Sequence, residues 1–419
     1  MLLRLAWRSL LDRKGSMLLT LFSLCLSVMV VLSVEQIRSQ TRTSFTRTIA
    51  GVDLIVGART SSLNLLLYSV FRIGNATSDI GWNSYQTLAQ DDRVAWSIPL
   101  SLGDSHRGFR VVGTTADYFR YFRYGDRQNL LLQQGSGSFD SVFSTVLGAE
   151  VAQSLGYGLG DTLVLSHGLG ATSFSQHDDF PFTVVGILAP TGTPVDQAVH
   201  VSLQGLEAIH LGWSGGVQIP GLAQRYSEQE LATLQPKSVT AVLLGLKSRT
   251  AVFGLQRDIN GFQGEALSAI LPGVALAELW QSMRLVEGVL GVISVVVLMA
   301  SLLGLATMLL ASMQQRQREL ALYRAIGARP GFIVLLIEFE ALLLTVGGLC
   351  LGWMGTFILQ ATAAPWLQRE YGLNVGGLPL DARVLAYGGI VLGVAALLAL
   401  IPATAAYRRS LGTGLAARA

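Results

Sequence analysis

Four apolar stretches, each long enough to cross a bilayer, constrain this chain more than any other feature. They run from Met17 to Val34, Val286 to Met313, Phe332 to Leu359 and Val384 to Tyr407, and a spanning helix needs about 20 such residues. Only 14% of the residues are charged, against roughly 25% in a soluble domain. That argues against a cytosolic enzyme and against a disordered chain. Residues 35–285 are mostly polar and hold no further span, so a carrier made only of membrane helices does not fit either. The first stretch is too long for a signal-peptide core, and no small-x-small cleavage pattern follows before Glu35; it reads as an uncleaved anchor.

Basic residues near the span ends set the orientation. Arg4, Arg8, Arg13 and Lys14 precede the first span, Arg316, Arg318, Arg324 and Arg329 follow the second, and Arg408, Arg409 and Arg418 follow the fourth. With those segments cytoplasmic, the spans alternate and both termini lie inside. Residues between the first and second spans are then periplasmic. The formal charge of +3 divides into a basic inner face and a mildly acidic remainder.

The inward segments are short. No Gly-x-x-x-x-Gly-Lys-Ser/Thr phosphate loop occurs anywhere, so energy must come from another polypeptide or an ion gradient. Few ionisable residues lie in the spans, which weighs against an ion-coupled carrier. Glu338 and Glu340 are the exceptions, about two turns into the third span, where snorkelling or pairing with loop arginines explains them more simply than a proton relay. Gly348 with Gly352, and Gly389 with Gly393, have the four-residue spacing that lets membrane helices approach closely.

Between Arg38 and about Ser282 the pattern is mixed. Val111–Gly113, Thr183–Leu188 and Val239–Leu244 read as strands. Ser84–Arg93, Ala149–Leu155, Ser202–Leu211 and Arg249–Asn260 read as short amphipathic helices. The expected fold is therefore an α-helical membrane protein of four spans with a large α+β periplasmic domain, in which one subdomain is split by another. The expected organisation is a cytoplasmic amphipathic segment (1–16), the first span with a stalk (17–49), and a periplasmic domain (50–274). Within that domain, 50–125 pairs with 236–274, and 126–235 is the insert. A stalk and second span (275–313), a cytoplasmic loop (314–331), the third span (332–359), a short periplasmic loop (360–383), the fourth span (384–407) and a cytoplasmic tail (408–419) follow. A helix over 275–313 would be about 58 Å long, well beyond a ~30 Å hydrocarbon core.

Cys25 and Cys350 lie inside apolar runs, so no disulfide framework is expected. All the histidines, His106, His167, His177, His200 and His210, fall in the periplasmic segment. His177-Asp178-Asp179, with His167 and His200, offers ligand types that suit zinc, whereas their irregular spacing equally fits histidines scattered along a solvated loop. The mixture of arginine and aromatic residues over 107–127 is periplasmic by this topology, so no nucleic-acid partner is expected.

The loop after the second span reads Gln317-Arg318-Glu319-Leu320-Ala321-Leu322-Tyr323-Arg324-Ala325-Ile326-Gly327-Ala328. It resembles the R-E-x-(A/G)-x-x-R-A-x-G-A signature of the FtsX/MacB-like ABC transporter permeases, a superfamily that includes the LolC/LolE-type lipoprotein-release permeases. Leu5-Ala6-Trp7-Arg8, Phe182–Leu188 and Pro402–Arg408 resemble that family's opening segment, its periplasmic strand and its closing motif. Ser410-Leu411-Gly412 departs from the family, many of whose members have a proline there.

The resemblance implies a non-catalytic permease subunit, working as a pair with a second permease copy and with two copies of a separate cytoplasmic ATPase. ATP and magnesium would be bound by that partner, with no cofactor on this chain unless zinc is handled. The coupling residues implied are Arg318, Glu319, Ala321, Arg324, Ala325, Gly327 and Ala328, on a short amphipathic helix that Gly327 ends and Pro330 prevents from continuing. The expected function is to couple ATP hydrolysis to motion of the periplasmic domain, for export or extraction of a substrate. The alternative is a mechanotransmitter that moves nothing and activates a periplasmic partner.

Overall fold

The computed structural model describes residues 2–167, 180–211, 213–214, 217–218, 226–316, 319, 322–323, 325, 327–371 and 382–416. The chain divides into two compact units. One comprises Met1–Gln40, Arg284–Trp366 and Val375–Ala419, the other Thr41–Met283 and Leu367–Asn374.

The second unit is built on one large sheet, with three two-stranded sheets besides it among the described residues. Its main strands are β1 (Leu54–Ala58), β2 (Val94–His106), β3 (Phe109–Thr114), β4 (Leu132–Gly135), β5 (Ser144–Leu147), β6 (Phe182–Leu188), β7 (Ala198–Ser202), β8 (Ala241–Leu246) and β9 (Leu267–Ile270). They lie in the order β9-β1-β8-β2-β3-β7-β5-β6-β4, and two short strands, Thr162–Leu163 and Ser166–His167, pair with β6 and β2. β3 with β7 and β5 with β6 are parallel; the other neighbours are antiparallel.

β2 holds the sheet together. Its first half pairs with β8, from Val94 opposite Leu246 to Leu100 opposite Ala241, and its second half with β3, from Ser101 opposite Gly113 to His106 opposite Phe109. One continuous sheet therefore carries both the 50–125/236–274 part and the 126–235 part. The β2–β3 turn is Arg107-Gly108, with φ of 48° and 90°, the doubly left-handed geometry that matches the twist of a two-residue hairpin.

Both sheet faces are covered, and the two-residue period of a strand sorts the side chains between them. Ile55, Leu243 and Ala198 join one core, which also holds Leu65, Tyr68 and Tyr118. Their neighbours Leu54, Val56, Val242 and Leu244 join a second core on the opposite face, and Val199 and Val201 a third. Helix Ser62–Ser69, capped by the Ser61 hydroxyl accepting from the Asn64 amide at 3.2 Å, lies flush on β1. A Cβ at Gly57 would come within 2.5 Å of both Leu65 and the Tyr68 hydroxyl, so only glycine fits there. Helices Trp82–Ala89, Ala149–Leu155, Leu203–Ile209 and Val252–Asn260 complete the layers.

The first unit is helical: α1 (Leu2–Leu11), α2 (Lys14–Arg47), α3 (Pro272–Gln315), α4 (Pro330–Tyr371) and α5 (Ala382–Ala416), with α2 and α3 extending into the residues of the sheet unit. Four helical segments, Lys14–Gln40, Pro272–Gln315, Gly331–Ala364 and Val384–Arg408, are long and apolar enough to cross a membrane. The helix α4 runs on past Leu359 where a loop over 360–383 was expected. Gln360-Ala361-Thr362-Ala363-Ala364 holds no glycine to end it, and alanine is the strongest helix former; residues 372–381 lie outside those described.

The bundle core follows the three-to-four-residue period of a helix face. Leu302, Leu305, Leu309 and Met313 of α3 meet Ile333, Ile337, Ala341 and Leu344 of α4 and Val391, Ala395, Ala399 and Ala403 of α5. The opposite face of α3 leaves Leu285, Val289, Val292 and Val296 more than half exposed, an apolar surface that suits lipid rather than water. On α4, added Cβ atoms at Gly348 and Gly352 would come within 2.7 and 2.6 Å of Leu24 and Val28 on α2. At Gly389 and Gly393 they would meet nothing within 4 Å. The same spacing thus packs against a helix on α4 and stands open on α5.

Candidate functional site

The loop between α3 and α4 begins at a buried cluster of charge. Arg316, one residue beyond α3, is 8% exposed, and its Nη1 donates to Glu340 Oε1 of α4 at 2.8 Å. Its Nε donates to Glu319 Oε2 at 3.0 Å. The Ser9 hydroxyl of α1 donates to the same Glu340 oxygen. Glu340 is 1% exposed, which a carboxylate tolerates only when paired and hydrogen-bonded. Arg13, between α1 and α2, lies within electrostatic reach of Arg316, Glu319 and Glu340, and its Nη1 is buried without a hydrogen-bond partner. The cluster ties the end of α3 and the start of the loop to α1 and α4. Glu338, two residues earlier and so on a different face of α4, has no such pairing among the described residues, and its Oε1 is buried without a partner.

Beyond the cluster, the loop turns outward. Glu319, Ala325 and Gly327 are exposed and Ala328 is half-buried. Gly327 has φ +92°, the left-handed conformation that ends helices, and the Ala328 amide donates back to the Tyr323 carbonyl at 2.9 Å. Tyr323 packs edge-on against Phe332 at 6.1 Å, fixing the return into α4. Arg318, Ala321 and Arg324 lie outside the described residues.

Sequence reasoning missed Leu322, which is 65% exposed and adds an apolar group to this outward surface, and it missed Ser9 and Arg13 as partners of Glu340. A usable signal was present: a carboxylate deep in an apolar helix demands nearby donors, and the segment just before the first span carries Arg8, Ser9 and Arg13. At the other end of the bundle, Arg38 of α2 lies 3.5 Å from Glu35 and 3.6 Å from Glu287 of α3.

Of the histidines, His106, His200 and His210 have described side chains. His200, on β7, is fully buried between Tyr118 and Phe119, with ring centroids 5.0 and 5.6 Å away. Its Nδ1–H donates to the Val146 carbonyl at 3.2 Å. Burial, and then the Arg72 charge, hold it down to about 3, so the ring is neutral. His106 Nδ1 donates to Val164 at 2.6 Å, with Nε2 3.0 Å from the Tyr157 hydroxyl, and burial lowers its pKa as well. His210 Nε2 is 3.6 Å from Asp104. The backbone of His167 is in the strand Ser166–His167, while His177, Asp178 and Asp179 lie outside the described residues. Among the described residues, no three His, Cys, Asp or Glu side chains converge as metal ligands.

Comparison with known proteins places these units. Residues 17–259 match the MacB-like periplasmic core domain, and residues 291–411 match the FtsX-like permease C-terminal region. The crystal structure of the periplasmic region of MacB from Actinobacillus actinomycetemcomitans is similar to this chain over 57% of it and 94% of that structure, at 13% identity and a TM-score of 0.34. No curated protein matches the chain. A MacB-like core between the first and second apolar helices, followed by an FtsX-like C-terminal region over the rest, makes this chain a member of the FtsX/MacB-like family of ABC transporter permeases.

Proposed function

We propose that the chain is the permease subunit of an ABC transporter, driven by a separate cytoplasmic ATPase and working as a pair of permease copies in a bacterial inner membrane with both termini inside. The observation that carries this reading is the buried Ser9–Glu340–Arg316 cluster at the root of the loop over 314–331. A loop anchored this way cannot be displaced alone: a push on its outward surface is transmitted to α1, α3 and α4 together. Leu322 and Ala325, exposed on the loop, and the charges of Arg318, Glu319 and Arg324 would seat it in a groove on the ATPase.

The helix α3 supports transmission of that push. It runs without a break from Pro272, directly after β9, to Gln315 at the loop, and 44 residues correspond to about 66 Å at 1.5 Å per residue. The chain itself supplies no phosphate loop, so hydrolysis is assigned to the partner. The work done outside is assigned to the sheet unit, moving a hydrophobic or periplasmic substrate outward. The test is co-expression with the ATPase subunit and co-purification of the complex. Leu322→Asp and Arg324→Glu are each expected to release the ATPase while leaving the permease folded; retention of the ATPase by both variants would refute the docking role.

A further inference from the structure

The sheet unit holds a cavity of about 470 Å³, lined among others by Tyr68, Arg72, Asn75, Asp79, Leu102 and Arg110. Its walls carry two guanidinium groups that the fold holds without neutralising. Arg110 Nη1 donates to Asn75 Oδ1 at 2.9 Å and its Nη2 to the Gly74 carbonyl at 3.0 Å. Arg72 Nη1 donates to the Ser69 carbonyl. These acceptors are neutral. Among the described residues, no carboxylate lies within 4.0 Å of either arginine. Asp79 lines the same cavity, but its Oδ2 accepts from the Ser238 hydroxyl at 3.2 Å.

Burial lowers the pKa of both arginines, and for Arg110 the Arg72 charge adds to the effect. Two like charges therefore line one cavity in partial burial, an arrangement that costs stability unless an anion offsets it. The backbone adds to the cost, because Arg72 sits at φ +61°, where a side chain is rarely found.

A separate observation comes from Tyr68. It is 1% exposed, and its hydroxyl is buried with no hydrogen-bond partner. Burial, and then the charge of Asp79, push this phenol up to about 12, so the group stays protonated and is an O–H donor lacking an acceptor. A buried donor without a partner is rare in a native structure and calls for an explanation. The phenol oxygen is enclosed beside Gly57 of β1, so it is the two guanidinium groups that offer the cavity a donor set for an oxyanion, which Arg recognises in a bidentate fork. The volume exceeds what a bare oxyanion fills, and Leu102 and Ala76 give it apolar walls.

We propose that this cavity binds a small organic phosphate ester, held by Arg72 and Arg110. The site is independent of how the permease is driven. Its ligand chemistry is shared by a soluble phosphomonoester and by a lipid phosphate headgroup.

Native mass spectrometry of the full chain in a nonionic detergent tests it, with glycerol 3-phosphate as the soluble probe and dioctanoyl phosphatidic acid as the lipid probe. Saturable one-to-one binding of either supports the site, and which of them binds tells the two sources apart. Arg110→Gln and Arg72→Gln are each expected to weaken binding at least tenfold. Tyr68→Phe removes a hydroxyl enclosed away from the cavity, so this variant is the control and is expected to bind as the parent does. Saturable binding by neither probe, or binding unchanged in both arginine variants, would overturn the proposal.

Discussion

Removing the Glu340 carboxylate isolates the contribution of the buried cluster at the root of the loop. At 2.8 Å, Coulomb's law with an effective dielectric of 20 gives about 6 kcal/mol of attraction between Arg316 and Glu340, much of which offsets the desolvation of two side chains that are 8% and 1% exposed. Glu340→Ala deletes the attraction and keeps the desolvation of Arg316. Its remaining partner is Glu319, whose side chain is 58% exposed and whose pairing contributes no more than about 1 kcal/mol. Arg13 is left beside a second uncompensated guanidinium. The expected loss is about 3–5 kcal/mol, the range for stripping one partner from a buried pair.

Arg316→Met strands the carboxylate instead, with a similar expected cost. The double variant Arg316→Met/Glu340→Ala leaves no buried charge of this pair, so it is expected to lose far less than the two single losses together. Unfolding free energies of the four proteins in detergent, measured by denaturant titration, give the coupling energy. At least about 3 kcal/mol is expected. Additivity within about 0.5 kcal/mol, the behaviour of independent sites, would refute the claim that the cluster joins the loop to α4.

Two further outcomes follow from packing and protonation. Gly352→Val forces a Cβ to within 2.6 Å of Val28 and 3.0 Å of the Cys25 carbonyl; overpacking of this kind costs about 1–3 kcal/mol, read as a lowered thermal midpoint in detergent, whereas Gly393→Ala enters open space and is expected to be neutral or stabilising by up to about 1 kcal/mol. His200 binds a proton near pH 6.5 when unfolded and only near about 3 when folded, so its contribution is complete above 6.5 and is lost as the pH falls below that value. Between pH 7.5 and 5.5 this linkage removes about 1.4 kcal/mol, to be measured by hydrogen exchange of the β7 amides, and His200→Gln is expected to abolish that part of the slope.

The membrane helices and several elements of the sheet unit were legible because their signals are local. An apolar run of sufficient length has few other destinations, and Phe182–Leu188 combines β-branched residues with a closing turn, so β6 was visible from sequence alone. The end of α4 was not, because an alanine-rich stretch reads equally as helix or as a short polar connection when its neighbours are unknown. The path of β2 through both halves of the sheet depends on pairings with β8 and β3 that involve distant residues, and no local pattern encodes them. The same holds for function. The loop signature is contiguous and announced the family, whereas Ser9, Arg316 and Glu340 meet only after α1, α3 and α4 pack. The equal spacing of Gly348–Gly352 and Gly389–Gly393 shows the limit most plainly: the first pair meets α2 and the second meets nothing within 4 Å.

Coupling of ATP hydrolysis to motion of the sheet unit is tested most directly by a distance measured across the paired complex. Phe253, 68% exposed on helix Val252–Asn260, accepts a spin label as Phe253→Cys once Cys25 and Cys350 are replaced by serine. The permease–ATPase complex in nanodiscs would then be trapped with ADP or with ATP, magnesium and vanadate. The account predicts that the label-to-label distance distribution shifts between the two states, and that the shift disappears in Glu340→Ala while the isolated ATPase keeps its activity. Identical distributions in a complex that hydrolyses ATP would contradict it.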